Sequence, residues 1–281
     1  MARTVVVGVE GTGPGHTALV WAAQAARARK GDLEIVHAIG VRYEDVERRY
    51  DDARHQVTES LLNGESARAR QVTPGLTVRA TLSRKTPGRA LTEASEHAAL
   101  MVVGSHPHSV IERLFARSFS YQMAAGARCP VLVVPHGMGD SGSGVVVGAD
   151  GSPDSVAAIA LAAAEADRLH QALTVVHAWH SPMTYRVEDS DAGSHDERLQ
   201  ELECMVLAES VAGLRDHYPD LVVRRRLAHQ HAADALLGAA QGARLVVVGC
   251  RGIHGVARRL LGSVSRSVVL RAPCPVLVVR S

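Results

Sequence analysis

The sequence VVVGADGS at residues 145–152 is a run of valines that ends in a glycine and a short polar turn. A closely similar sequence, VVVGVEGT, occupies residues 5–12, 140 positions earlier. The same offset relates VHA at residues 36–38 to VHA at residues 176–178. Because one offset connects two separated segments, we infer that the chain contains an internal repeat.

A second pair of matching segments lies in the later part of each copy. MVVG, which ends at Gly104, matches VVVG, which ends at Gly249, 145 positions later. The sequence CPVLVV recurs at this second offset, at residues 129–134 and 274–279. Two copies of one domain therefore fill the chain.

The join between the copies is predicted at residues 136–144, where the sequence HGMGDSGSG is typical of a short flexible linker. We expect the two domains at residues 1–137 and 143–281. The chain has 281 residues, of which 46% are hydrophobic, so each domain can bury a core of its own.

Short valine-rich runs alternate with longer alanine- and leucine-rich stretches in both copies, which predicts βαβ units around a parallel sheet buried on both faces. In the second copy, strands are expected at 144–149, 173–178, 222–228, 244–249 and 276–279, and helices at 153–170, 195–217, 231–242 and 263–271. In the first copy, strands are expected at 4–9, 33–38, 77–82, 100–104 and 131–135. The predicted fold class is therefore α/β, with two tandem doubly wound domains of five parallel strands. A ligand should lie at the carboxyl ends of the strands.

The charge balance does not indicate a protein that binds nucleic acid or a membrane. The formal net charge is +2, from 31 basic and 29 acidic residues, whereas binding to polyanions needs a strongly basic surface. The run VVRRRL at residues 222–227 is local, and arginines on a strand are typical of a solvated sheet edge. We therefore expect neither nucleic acid nor a membrane as a partner.

Other features of the composition favour a cytoplasmic protein without a metal centre. No apolar run approaches the roughly 20 residues of a membrane-spanning helix, and no signal-peptide pattern follows Met1. The four cysteines have no C-x-x-C pair, and the 15 histidines are scattered. Neither a zinc ribbon nor a disulfide framework is therefore indicated, and no metal ligand is predicted.

A glycine-rich loop follows the fourth strand of the second copy, where GCRGIHGVARRLLGS begins at Gly249 and ends at Ser263. Gly249, Gly252 and Gly262 would let the backbone turn and bring its N–H groups close to an anion. Ser263 is expected to cap the next helix, with Ser265 in its first turn. The amide groups and the positive end of the helix dipole would then form a phosphate site. The alternative is an ordinary turn with a small capping residue.

The sequence lacks the two commonest phosphate-binding motifs, G-x-G-x-x-G after the first strand and G-x-x-x-x-G-K-[ST]. Asp150, at the end of the first strand of the second copy, can accept hydrogen bonds from ribose hydroxyls or hold a divalent cation beside a polyphosphate. Alternatively, Asp150 or Ser152 serves only to cap the first helix.

Four motifs together resemble those of universal stress proteins, specifically the ATP-binding branch in a tandem two-domain form. They are VVVGADGS, VVHAW on the second strand, G-x2-G-x9-G-S after the fourth strand, and APCPVLVVR at the end of the chain. The resemblance covers nearly the whole chain and implies an adenine nucleotide alpha hydrolase-like, Rossmann-like fold. It also implies that the two copies pair about a pseudo-two-fold axis and that the whole chain forms a homodimer.

The resemblance further implies that the second copy binds ATP, with or without Mg²⁺. Asp150 would lie at the ribose or adenine side, and the backbone of Ala149 and Ala178 would lie near the base. Two groups of residues would form the phosphate end, the loop residues Val248, Gly249, Arg251 and Gly252 and the helix-start residues Gly262, Ser263, Val264 and Ser265.

The first copy departs from this pattern. Pro107 and Arg117 stand at the positions of the second and third glycines, and Glu10 stands at the position of the acid, while Ser118 and Ser120 keep the two hydroxyls. Proline removes an N–H donor, and arginine places a side chain where phosphates need open backbone. We expect a weakened or empty first site. The alternative is that the Arg117 guanidinium replaces the lost backbone contacts.

The leading functional hypothesis is an ATP-dependent regulatory module of the stress response that acts on a protein partner the sequence does not identify. No residue is predicted to be catalytic, although Ser263 or Ser265 could serve as nucleophile in slow ATP hydrolysis or autophosphorylation. Two further classes are a scaffold that binds no nucleotide and serves dimerisation, and a flavin or dinucleotide enzyme, which would be coloured.

Overall fold

The structure is a computed structural model that describes residues 3–40, 48–105, 119–137, 142–180, 192–252 and 260–281. The chain divides into two compact units, Met1–Gly139 and Asp140–Ser281, which we call unit 1 and unit 2. Both units alternate strands and helices.

Unit 1 contains one parallel sheet. Its elements in chain order are β1 (Val5–Gly8), α1 (Gly13–Ala28), β2 (Leu33–Ala38), α2 (Arg48–Val72), β3 (Val78–Ser83), α3 (Pro87–Ala94), β4 (Leu100–Ser105), α4 (Phe119–Gly126) and β5 (Val131–Pro135). The strand order is β3-β2-β1-β4-β5, and each neighbouring pair is parallel. The order reverses direction beside β1, which makes the unit doubly wound.

Unit 2 repeats this topology. Its elements are β6 (Val145–Ala149), α5 (Pro153–Arg168), β7 (Leu173–Trp179), α6 (Ala192–Ser210), α7 (Leu214–His217), β8 (Val223–His229), α8 (Ala232–Ala239), β9 (Leu245–Gly249), α9 (Ser263–Arg271) and β10 (Val276–Val279). The strand order, β8-β7-β6-β9-β10, matches that of unit 1, and all pairs are parallel. The predicted α/β fold with two five-stranded parallel sheets is confirmed.

One predicted helix is interrupted in the structure. Instead of one helix over residues 195–217, unit 2 has α6 and α7, separated by a short turn. Gly213 ends this turn with φ at 76°, a left-handed conformation that glycine adopts without steric cost. Because a residue in this conformation cannot continue an α-helix, the chain changes direction before α7 begins.

The centre of each sheet is built from valine. Val5, Val6 and Val7 of β1 are fully buried, as are Val145 and Val147 of β6. Successive residues of a strand point to opposite faces, so the burial of consecutive valines shows that helices cover both sides of the sheet. Full burial of one such side chain contributes about 1.5–3 kcal/mol to folding. The valine runs therefore specify the central strands.

The first helix of each unit presents a face of small side chains to its sheet. Fully buried alanines recur at matching positions of α1 and α5, namely Ala18, Ala22, Ala23 and Ala26 in unit 1 and Ala158, Ala162, Ala163 and Ala166 in unit 2. Positions three and four residues apart lie on one side of a helix. Since alanine is small, the helix backbone lies close to the strands, and the start of each helix reaches the carboxyl end of the sheet.

The strand β8 lies at the end of the strand order of unit 2 and pairs with β7. Its residues Arg224, Arg225 and Arg226 are exposed, which confirms the predicted sheet edge. Within the described ranges, no helix is long and apolar enough to cross a membrane.

Candidate functional site

A cavity of about 650 Å³ opens in unit 2 at the carboxyl ends of β6, β7 and β9. The eleven residues proposed from the sequence all line it: Ala149, Asp150, Ala178, Val248, Gly249, Arg251, Gly252, Gly262, Ser263, Val264 and Ser265. They come from four separate parts of the chain. Parallel topology brings them together because the ends of the strands meet at one edge of the sheet.

The turn between β6 and α5 is held by hydrogen bonds from serine. Ser152 is the N-cap of α5, and its Oγ accepts a hydrogen bond from the backbone N–H of Ser155 at 3.2 Å. Asp150 Oδ1 in turn accepts bonds from the backbone N–H and Oγ of Ser152, at 3.0 and 2.6 Å. Ser152 is therefore the cap, and Asp150 supports it with one oxygen. Its second oxygen, Oδ2, has no hydrogen bond within the described part of the chain.

Asp154 is a functional candidate that the sequence reasoning missed. This residue lies in the first turn of α5 and is 4% exposed. Its Oδ2 accepts bonds from the backbone N–H and the Nε of Arg251, both at 3.1 Å. Its Oδ1 accepts bonds from the backbone N–H and the Oγ of Ser281, at 2.9 and 2.5 Å. The carboxylate thus joins the glycine-rich loop to the residues that follow β10.

The hydrogen bonds of Asp154 keep it ionised. Burial by itself raises the pKa of this carboxyl, but the bonds from Ser281 and the bond and charge of Arg251 outweigh that effect. The net result is a pKa below the usual 3.8. One feature of the sequence could have pointed to Asp154: it is an acid in the first turn of a predicted helix, and the first copy has Pro14 at the matching position.

The backbone amides of the glycine-rich loop fall into two groups. Three are already used inside the protein: the N–H of Cys250 bonds to Val279 O at 2.6 Å, that of Gly262 to Cys250 O at 2.9 Å, and that of Arg251 to Asp154. The amides of the other group have no hydrogen bond among the described residues, and they belong to Gly252, Ser263, Val264 and Ser265. The donors available to an anion are therefore those of Gly252 and the first turn of α9.

The start of α9 differs in detail from the expectation. Gly262 occupies the N-cap position, and Ser263 is the first helical residue rather than the cap. The hydroxyl of Ser265 donates a hydrogen bond to Gly249 O at 2.6 Å and is buried. Ser120 makes the matching bond to Gly104 O in unit 1, at 3.0 Å. The Ser265 hydroxyl therefore ties helix to strand, and its backbone N–H is the group that faces no partner.

The three glycines of the loop serve different purposes. A Cβ on Gly249 would lie 2.9 Å from the backbone of Asp154, and one on Gly252 would lie 2.5 Å from Asp150 Oδ2. Position 249 needs glycine because the neighbour is backbone, whereas a Cβ at position 252 would displace the Asp150 carboxylate. A Cβ on Gly262 would meet its nearest described neighbours at 3.5 Å or more, which is ordinary contact. Contacts with the described residues therefore do not require glycine at position 262, unlike position 249.

His177 connects the end of β6 to helix α6. Its Nδ1 lies 2.7 Å from Ala149 O, and its Nε2 lies 2.5 Å from an oxygen of Glu203. Since a carbonyl oxygen can only accept, Nδ1 is the donor in the bond to Ala149 O. His37 makes the same bond to Val9 O in unit 1, at 2.8 Å. Sequence matching found the two histidines but not Glu203, which reaches the cavity from α6.

The wall of the cavity away from the loop is largely apolar. Val176, Val206 and Leu236 line it together with Trp179. The Trp179 ring stacks on that of His229, with centroids 4.3 Å apart and planes 13° from parallel. The cavity therefore has one end with free amides and a carboxylate oxygen, and another end that suits a flat apolar group.

The described part of the chain contains no group of three or more His, Cys, Asp or Glu side chains that could hold a metal ion. Asp150 Oδ2 is a single carboxylate oxygen near the free amides. A Mg²⁺ ion held by one carboxylate and by the phosphates of a ligand would fit this arrangement.

In unit 1 the corresponding region is built differently. Thr12 Oγ1 donates a hydrogen bond to Glu10 at 2.7 Å, and Thr12 makes no side-chain cap. Pro14 stands where unit 2 has Asp154. The predicted substitutions Pro107 and Arg117, together with Ser118, lie outside the described residues.

Two tandem α/β units with this strand order, and a cavity at the carboxyl ends of the strands, define a Rossmann-like protein with a duplicated domain. The family model of the universal stress protein family matches residues 1–135 and again residues 144–280. The chain belongs to the universal stress protein family, as the resemblance of its motifs implied.

Relatives in two mycobacterial genera match nearly the full chain. A universal stress protein of Mycolicibacterium smegmatis is 32% identical over 293 residues, with 98% of this chain and 96% of the relative covered. One from Mycobacterium tuberculosis strain H37Rv is 31% identical over 294 residues with the same coverage. The crystal structure of a universal stress protein from Archaeoglobus fulgidus has the same tandem fold, with a TM-score of 0.73 at 18% identity over 100% of this chain and 99% of that one.

Proposed function

We propose that this protein is a nucleotide-dependent regulatory module that binds ATP in the cavity of unit 2. The observation that carries the proposal is the set of free amides at Gly252 and the first turn of α9, all of which line the cavity. Backbone N–H groups and the helix dipole at such a position attract anions, with an effect of about 0.3–2 kcal/mol for each charge. A triphosphate matches this end of the cavity.

The rest of the nucleotide fits the other parts of the cavity. Asp150 Oδ2 is available to a ribose hydroxyl or to Mg²⁺, and the apolar wall that includes Val176 and Leu236 suits a purine. The volume of about 650 Å³ lies in the usual range for sites of this kind. The backbone of Ala149 and Ala178 would then lie near the base.

The geometry supports regulation rather than rapid turnover. The Ser265 hydroxyl is buried and bonded to Gly249 O, so it is a poor nucleophile in this arrangement. The Ser263 hydroxyl is exposed, but within the described residues no carboxylate or imidazole bonds to it. Activation of a serine needs such a neighbouring base. We propose that bound ATP stabilises one arrangement of the loop, which a partner protein then recognises.

Calorimetric titration of ATP against a Gly262→Val variant tests the proposal. The added side chain would lie beside a proposed phosphate donor, because a Cβ at this position comes 3.6 Å from Gly252 N. We expect ATP affinity to fall about 100-fold or more. Gly238→Val is the matched control, because a Cβ there meets none of the described residues within 4 Å and Gly238 lies outside the cavity lining. Unchanged ATP affinity in Gly262→Val, with an unchanged melting temperature, would rule out the loop as the phosphate site.

The same titration reports how many sites each chain carries. We propose that unit 1 binds nucleotide weakly or not at all, because Glu10 and Pro14 replace the two acids of unit 2. One ATP per chain is the expected stoichiometry. Two sites of similar affinity would show that unit 1 compensates for these replacements.

A further inference from the structure

The carboxylate of Asp154 is the most heavily engaged acid at the cavity. Its side chain is 5% exposed, and it accepts bonds from Arg251 and Ser281, two residues that lie far from it in sequence. A buried charge of this kind is stable only when its partners are held in good geometry. Asp154 therefore fixes the positions of both partners.

The backbone of Arg251 is held by Asp154, whose Oδ2 accepts a bond from the Arg251 N–H at 3.1 Å. The next residue is Gly252, whose amide is one of the free donors. Because Gly252 directly follows Arg251, the bond to Asp154 fixes the backbone that leads into this free N–H.

The side chain of Arg251 is held by the same carboxylate. Its Nε bonds to Asp154 Oδ2, and its two terminal nitrogens have no hydrogen bond within the described residues. Arg251 also lines the cavity. A guanidinium anchored through Nε keeps its two remaining NH₂ groups available for an anionic ligand.

We propose that Asp154 is a positioning residue for the anionic end of the cavity: it orients Arg251 and the Gly252 amide, and so makes the site selective for nucleoside polyphosphates over nucleosides. The inference rests on the proposed nucleotide binding. It identifies the part of that site that distinguishes charged from uncharged ligands. Because Oδ1 is held by Ser281, the loop geometry also depends on the residues after β10.

Unit 1 shows that the fold does not require this carboxylate. Pro14, at the matching position, has neither a carboxylate nor an N–H, yet α1 packs on β1 and β4 as α5 packs on β6 and β9. The same helix position can thus be filled without an acid. Asp154 is therefore not needed simply to attach the first helix to the sheet.

Titrations of ATP and of adenosine against Asp154→Asn distinguish a role in orienting the anion-binding groups from a general loss of folded structure. The amide keeps the size of the carboxylate but loses its charge and directs an NH₂ group toward N–H donors. We expect ATP affinity to fall about tenfold or more and adenosine affinity to change less than about twofold. Equal losses for both ligands, or no loss for ATP, would overturn the proposal.

The matched control is Glu165→Gln. Glu165 is a buried acid on the same helix, paired with Arg168 at 2.6 Å and outside the cavity lining. We expect it to lower the melting temperature while the ratio of ATP to adenosine affinity stays at the wild-type value. A change in that ratio equal to the change in Asp154→Asn would also overturn the proposal.

A second variant covers the case in which Asp154→Asn does not fold. Ser281→Ala removes one bond to Oδ1 and leaves the charge in place, and we expect ATP affinity to fall a few-fold with adenosine unaffected. Unaltered ATP affinity would contradict the proposal that the bonds of Ser281 to Asp154 help to position the anionic end of the cavity. Wild-type protein that binds neither ligand would overturn the proposed function itself, together with the inference, and is distinguishable from every outcome above.

Discussion

The first helices of the two units begin at matching positions, yet their first turns are constructed differently. In unit 2, Ser152 caps α5, and Asp154 in its first turn is bonded to the glycine-rich loop. In unit 1, Thr12 makes no cap, and the helix starts with Gly13 and Pro14. Each helix packs on the matching two strands of its sheet, β1 and β4 in unit 1 and β6 and β9 in unit 2. The fold therefore tolerates either construction and does not itself require the polar network of unit 2.

A second difference concerns the helix after the second strand. In unit 1, α2 packs against α1, and the position of a Cβ on Gly11 would be 2.6 Å from the Leu61 side chain. The buried Glu65 of α2 also pairs with His16 of α1 at 2.7 Å. In unit 2, none of the described residues comes within 4 Å of such a Cβ on the matching Gly151. The described residues of α2 therefore cover the turn after the first strand in unit 1, and no described residue does so at Gly151.

The largest expected effect is a loss of stability on substitution of the glycine near the end of the fourth strand. It tests whether this glycine is needed for packing in both units. A Cβ on Gly104 would lie 2.4 Å from Pro14 O, and one on Gly249 would lie 2.9 Å from the Asp154 backbone. Because backbone cannot move aside cheaply, we expect Gly104→Ala and Gly249→Ala each to lower the free energy of unfolding by about 3 kcal/mol, measured with urea. A neutral Gly104→Ala would mean that this glycine is not needed for packing.

An intermediate effect is expected from the two matched histidines. His177→Ala removes the bonds to Ala149 O and Glu203 in the cavity wall, and we expect ATP and adenosine to lose about tenfold in affinity together. His37→Ala removes a single bond of similar length in unit 1 and should leave both affinities unchanged. Isothermal titration calorimetry of the two variants with ATP and with adenosine measures this difference in affinity. Equal effects of the two substitutions would show that His177 acts only through folding.

A smaller effect is expected from the acidity of Asp154. Its pKa is lowered in the folded protein, so the stability it contributes is complete at neutral pH and is lost as the pH falls below the ordinary value of 3.8. Between pH 5 and pH 3, we expect the melting temperature of wild type to fall more steeply than that of Asp154→Asn. If the melting temperatures of the two proteins fell in parallel with pH, the hydrogen bonds of the Asp154 carboxylate would not contribute to the stability of the folded state.

The smallest expected effect concerns chemical labelling of cysteines in the wild-type protein. Burial raises the pKa of Cys129 and Cys274 to about 11, and it raises that of Cys250 as well. Cys204 is exposed on α6. Because thiolates react and thiols do not, we expect a maleimide at pH 7 to modify Cys204 first, as peptide mass spectrometry can show. Rapid modification of Cys250 would indicate that the loop opens.

Much of the architecture could be predicted because it depends on local patterns. Runs such as that from Val145 to Val147 are buried on both faces, so their composition identifies central strands directly. The eleven cavity residues were implied by the resemblance of four motifs to universal stress proteins. Parallel topology explains why residues from separate strands line one cavity. Contacts across the sequence were harder to predict. Asp154 and Arg251 are far apart in the chain, and no local pattern shows that their side chains meet.

Other details depended on backbone geometry that the residue types leave open. Gly262 was expected to offer its N–H to an anion, but that N–H bonds to Cys250 O. Ser263 was expected at the cap, which Gly262 occupies instead. Glu203 lies on a helix whose rotation about its own axis decides whether it reaches His177. Each of these features changes if a helix starts one residue earlier or rotates by less than one turn. The amino-acid composition does not specify shifts of that size.

The alanine faces of α1 and α5 limit where the two halves of this protein can diverge. Any larger side chain at those matching positions would push the helix off the strands, so both copies have kept the same small residues there. The helices α2 and α6 share no matching run of buried alanines, and their sequences differ at most positions. Each copy can therefore acquire its own recognition surface on these outer helices while the shared interior stays constant.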